Sequence, residues 1–131
     1  MFEGQYQMGK KHGHGTYHWT DSSVFVGEWA DNMINGQGRY QWSDGRCYEG
    51  QWMNNNMHGT GVYSWPDGRR FEGTYYEDRK HGYGVYSWAD GRKYEGMWRE
   101  GKQHGRGKYT SGAGQKAKEG VWFEGKRERW L

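Results

Sequence analysis

The stretch from Tyr48 to Arg70, YEGQWMNNNMHGTGVYSWPDGRR, returns with small changes along the whole chain. Lines that begin at Phe2, Phe25, Tyr48, Phe71 and Tyr94 align four units of 23 residues and a fifth of 24, with a partial unit from Lys118. A unit this short cannot bury a core alone, so each copy must pack on its neighbours. The expected organisation is one repeat domain over 1–131, with units 2–24, 25–47, 48–70, 71–93, 94–117 and a partial unit 118–131.

Four columns hold 20 of the 24 aromatic residues. Unit three supplies Tyr48, Trp52, Tyr63 and Trp65 to them, and unit four Phe71, Tyr75, Tyr86 and Trp88. Glycines fall into register between them, as Gly50, Gly59 and Gly61 do in unit three. The spacing is two throughout, which predicts strands with rings and glycines on one face. Asp44-Gly45, Asp67-Gly68 and Asp90-Gly91 predict tight reversals. The other connection, Met53 to His58 in unit three, reads as a loop of about six residues. The predicted fold is all-β, an elongated single-layer antiparallel meander of consecutive hairpins. Folding the text at these turns sets Trp52 opposite Gly59 and Gly38, and Tyr63 opposite Tyr48 and Gly73. Rings are thus expected to lie over bare glycine backbone, which restores the packing that glycine lacks.

Composition narrows the class further. Leu occurs once, at Leu131, and Ile once, at Ile34, so an aliphatic core is excluded. Nine Trp and eleven Tyr equally argue against disorder. No apolar run approaches the length of a membrane helix, and Met1 runs at once into repeat text, so a soluble, cytoplasmic protein without a targeting segment is the expectation. Cys47, the single cysteine, excludes an internal disulfide and reads as a strand residue. The net charge of +3 is small and its bases are dispersed, so no nucleic-acid partner is expected.

The unit resembles the MORN repeat, whose pattern is an aromatic-Glu-Gly-x-Trp opening, a loop, His-Gly-x-Gly and an Asp-Gly turn. The resemblance covers essentially the whole chain, with departures at Val26, Asn35, Asp21-Ser22 and Thr110 to Lys118. It implies a curved, half-pipe sheet that serves as a scaffold or binding module, often on cytoskeletal, ciliary or membrane-junction assemblies. It also implies self-association and a tendency to bind phospholipids.

His12, His58, His81 and His104 occur once per unit, and two strands at about 4.8 Å each separate neighbours by roughly 10 Å. Zinc needs donors about 2 Å from one centre, so packing of the loop is the better reading and no metal is expected. Glu3, Glu49, Glu72, Glu95 and Glu119 form a ladder on the face opposite the rings, where cross-strand pairing with Lys or Arg is expected rather than catalysis. The Gly-x-Gly pairs lack the third glycine and the helix of a phosphate cradle. No nucleophile stands out, so neither enzymatic activity nor a cofactor is expected.

The leading expectation is a non-catalytic scaffold or adaptor within a cytoskeletal or ciliary assembly, with an extended or helical partner segment in a ring-lined groove. Its contact candidates are Trp52, Tyr63, Trp65, Tyr75, Tyr86 and Trp88, unless the internal stack consumes those rings entirely. Lys10, Lys11, Arg79, Lys80, Lys102, Lys126 and Arg127 gather at one edge and are candidate contacts to an acidic phospholipid surface. The partial unit is read as an opening strand without a mate, whose edge favours self-association. A regulatory segment of a larger enzyme and a glycan-binding repeat are the alternatives.

Overall fold

A computed structural model describes residues 1–131. Twelve strands form one sheet: β1 Phe2–Gln7, β2 Lys10–His18, β3 Val24–Ala30, β4 Met33–Gln41, β5 Cys47–Met53, β6 Asn56–Ser64, β7 Arg70–Tyr76, β8 Arg79–Ser87, β9 Lys93–Arg99, β10 Lys102–Thr110, β11 Lys118–Phe123 and β12 Lys126–Trp130. Spatial order follows chain order from β1 to β12, every pair is antiparallel, and the sheet does not close into a barrel. The meander and its two-turn unit are therefore as the repeat predicts.

The register differs from the expectation. Tyr48 does stand opposite Tyr63, but Trp52 stands opposite Met57 and Gly36, and Tyr63 opposite Phe71. Across the Asp-Gly turns the reversal centres on the Asp, at Asp44 and Asp67, one residue earlier than the folded text supposes, and within every hairpin there is a bulge. In unit three the ladder passes from Gly50↔Gly61 directly to Trp52↔Met57, so His58, Gly59 and Thr60 face the single residue Gln51. Gly59 turns through φ +82°, and the Gln51 Oε1 accepts the Thr60 N–H at 2.8 Å, closing the gap in the ladder. The bulge absorbs residues that looked like loop. The connection shrinks to Asn54-Asn55, with φ of 48° and 69°, the two left-handed residues of a type I′ turn.

The Asp-Gly connections are tight reversals, as expected. Trp42 and Arg46 close the turn, since the Trp42 N–H donates to the Arg46 carbonyl at 2.9 Å, and Gly45 takes φ +95°. Where Asp21-Ser22 departs from the pattern the same turn forms, with Ser22 at φ +75°. The longer segment after β10 is bridged as well, because Tyr109 and Lys118 still pair. One expectation is overturned at the C-terminus. The partial unit is a complete hairpin, with Phe123↔Lys126 closing β11 on β12. Glu124-Gly125, at φ 47° and 87°, makes the same left-handed two-residue turn without Asn or Asp, as Glu100-Gly101 does in the hairpin before it.

Rings supply the core. Phe25, Tyr48, Phe71 and Tyr94 are fully buried, and each stands edge-on to the large ring of its own unit and that of the next. Tyr48, for example, meets Trp52 at 5.1 Å and Tyr75 at 5.2 Å between centroids, both near perpendicular. Beneath these rings the glycines pair in an unbroken row from Gly4 to Gly120. A Cβ at Gly61 would strike the phenol of Tyr48. The rings therefore do lie over glycine, but it is the opening aromatic that lies there. The Trp at the fourth place on instead donates its indole N–H to the preceding unit, Trp52 to the Gly38 carbonyl at 3.1 Å and Trp98 to that of Gly84 at 3.2 Å.

Candidate functional site

The face that carries the rings is layered. Trp52, Tyr63 and Tyr75 are buried within the chain's own stack, at 5 to 8% exposure, and retain little surface for a partner. Trp65, Tyr86 and Trp88 are half-buried, and belong to an outer row in which Tyr and Trp alternate. Centroid spacings along that row are 4.4 Å from Tyr63 to Trp65, 5.6 Å on to Tyr86 and 4.6 Å on to Trp88.

Each turn then lays a guanidinium on this row. Arg46, Arg69 and Arg92 sit 4.9 to 5.2 Å from the ring centroids of Trp42, Trp65 and Trp88. Their turn aspartates anchor them, with Asp44, Asp67 and Asp90 accepting from the Arg Nε at 2.8 to 2.9 Å. The backbone N–H of the same arginine holds each of these carboxyls below the usual range. Arg46 also donates to the Tyr63 hydroxyl at 3.0 Å. In the sequence these arginines read only as bases at the second edge of the sheet, although an Arg two places after each turn Asp is itself a recurring signal.

The seven edge bases do not form one surface. Lys10, Arg79, Lys102 and Lys126 are exposed at the two-residue turns, whereas Lys11, Lys80 and Arg127 pair opposite Tyr6, Tyr75 and Trp122 and lie on the ring face. The short turn explains the split. With only two residues in the reversal, the base pairs already belong to strands, and successive residues point to opposite faces. Lys80 goes furthest in. Its Nζ stands 5.3 to 5.9 Å from the centroids of Trp65, Phe71, Tyr86 and Trp98, and burial pushes its pKa down.

The back of the sheet carries the carboxylates. Arg39 pairs across strands with Glu49 at 3.7 Å, while Arg70–Glu72 at 3.1 Å and Lys93–Glu95 at 3.0 Å pair along one strand, not across as expected. The histidines pack singly, His58 on Tyr76 at 5.2 Å and His104 on Phe123 at 5.3 Å between centroids, and no three metal-binding side chains converge. Cys47 is half-buried on β5, and burial pushes its thiol up, away from nucleophilic character.

Comparison with known protein families matches five stretches, residues 2–24, 25–45, 48–69, 71–91 and 94–116, to the MORN repeat. Comparison with curated proteins returns no significant match. The five matched stretches coincide with the five full units of the sheet and span most of its length, and the chain belongs to the MORN-repeat family.

Proposed function

We propose that the protein is a non-catalytic scaffold that offers the outer row of its ring face to a segment of a partner protein. The observation that carries this reading is the alternating row of Tyr and Trp from Tyr40 to Trp88, half-buried at every ring but Tyr63, braced by arginines and covered by no second layer. Partly exposed aromatic and Arg side chains on a rigid support are the residues that dominate protein interfaces. The contact set is accordingly centred on Trp65, Tyr86 and Trp88, with Trp52, Tyr63 and Tyr75 acting as the floor that holds them. A cytoplasmic cytoskeletal or ciliary assembly is the setting that this reading favours.

The test is a pull-down from the native cell with mass spectrometry, comparing the wild type with Trp65→Ala and with Val62→Lys on the back face. Circular dichroism checks folding of both variants. Loss of the partner in Trp65→Ala alone supports the reading, and loss in Val62→Lys alone moves the site to the back. Retention of the same partner by both variants removes the groove from consideration.

A further inference from the structure

Lys80 is the one cation sunk into the ring layer of the central units. None of the ion pairs includes it, and its Nζ donates no hydrogen bond to the protein. Ser23 Oγ is the sole side-chain polar atom sealed without a partner, so the Lys80 ammonium still reaches solvent. The fold does not require a charge here. At the same place in the preceding units, opposite Trp29 and Trp52, stand Ile34 and Met57, and opposite Trp98 stands Gln103.

Charge is also divided between the faces. No Asp or Glu occupies a ring-face position of β1–β11, whereas Glu49, Glu72 and Glu95 all lie on the back. The turn aspartates are engaged by their own arginines. An unpaired ammonium in a site of lowered dielectric attracts a carboxylate far more strongly than one at an open loop tip.

We propose, building on the ring-face reading, that Lys80 anchors an acidic segment of the partner protein. One Asp or Glu carboxylate reaches the ammonium, and the apolar residues beside it lie on Trp65 and Trp88. A lipid bilayer is the poorer occupant. Lys80 is recessed among four rings, and the exposed bases that would meet a flat anionic surface, Arg79 and Lys102, are interspersed with Glu77, Glu100 and Glu124.

The experiment selects a phage-displayed library of 12-residue peptides on the full chain and on Lys80→Met, with Lys80→Gln as a second variant. Met57 and Gln103 are the chain's own precedents for both, and melting temperatures at or above that of the wild type are expected. The wild type should enrich peptides with Asp or Glu next to aromatic or aliphatic residues. Their affinity should fall at least tenfold in either variant, and exchanging the peptide acid for its amide should then cost nothing more. Enriched peptides without an acid, or equal affinity for the variants, overturn the Lys80 assignment and leave the groove intact. No enrichment at all, or binding lost in Val62→Lys but kept in Trp65→Ala, overturns the groove reading together with it. Lys80-dependent sedimentation with phosphatidylserine vesicles, in the absence of peptide enrichment, assigns the site to lipid instead.

Discussion

Tyr48 and Gly61 show how single residues are matched. The phenol occupies the space that a side chain at Gly61 would need, and its hydroxyl donates to the Gln51 carbonyl at 3.1 Å. Gly61→Val should therefore destabilise by about 2–3 kcal/mol, the upper part of the usual range for overpacking. Val62→Thr, one residue away on the back, should cost less than about 1 kcal/mol. Thermal melts check this, with a gap on the order of 10 °C expected between the two. Equal melts would mean that the faces are assigned the wrong way round. Burial also raises the pKa of Tyr48, and that of Tyr94 up to about 12. The unfolded chain releases these protons from pH of about 10, while the folded chain holds them. Their stabilising contribution is therefore full below pH of about 10 and is lost as pH rises towards 12. Tyr94→Phe, which copies the ring at Phe71, should flatten the fall in urea midpoint between pH 10 and 12.

Each two-residue turn after the first ties its hairpin to the one before. Asn55 donates its N–H to the Ile34 carbonyl at 2.9 Å and accepts the Ile34 N–H on its side-chain oxygen at 2.8 Å. Asn32 does the same to Lys11, and Asp78 to Met57. In the last two hairpins Gly101 and Gly125 keep the backbone bond alone. Asn55→Ala loses both the side-chain acceptor and an easy left-handed conformation, so it should cost about 1–2 kcal/mol. Asn55→Gly keeps the conformation and should cost less, a ranking that denaturant melts will test.

These turns also mark the limit of what could be read from the sequence. Strand period and glycine columns are local and recur in all five full units, and the Asp-Gly turn recurs in three, so the meander and its ring face were legible. The bulge was not, because nothing in His-Gly-Thr announces that three residues will face Gln51 alone. The bulge makes the turn shorter than its text suggests, shifts the register within the hairpin and sets Lys11, Lys80 and Arg127 among the rings and not at the edge. The final hairpin was hidden because β12 lacks the Gly-x-Gly-x-Tyr pattern that marks the second strand of every other hairpin.

For the molecule as a whole, the main strand contacts join only consecutive strands, so stability is a sum of local terms and not the property of one closed core. Exchange of backbone amides should follow position. β12, paired on one side and rich in Lys126, Arg127 and Arg129, should exchange first, and β5 to β8 last, as hydrogen–deuterium exchange will show. The same linear order has a mechanical meaning. The two chain ends lie on opposite edges of the sheet, so tension between them falls first on β1 and β12, each held by a single ladder. Hydrogen bonds under that load open one after another, as a zipper does, and are never sheared together. Each unit of 23 residues then yields roughly 80 Å of extended chain. Under a pull between its ends the sheet lengthens stepwise at low force, behaving as an extensible tether and not as a strut.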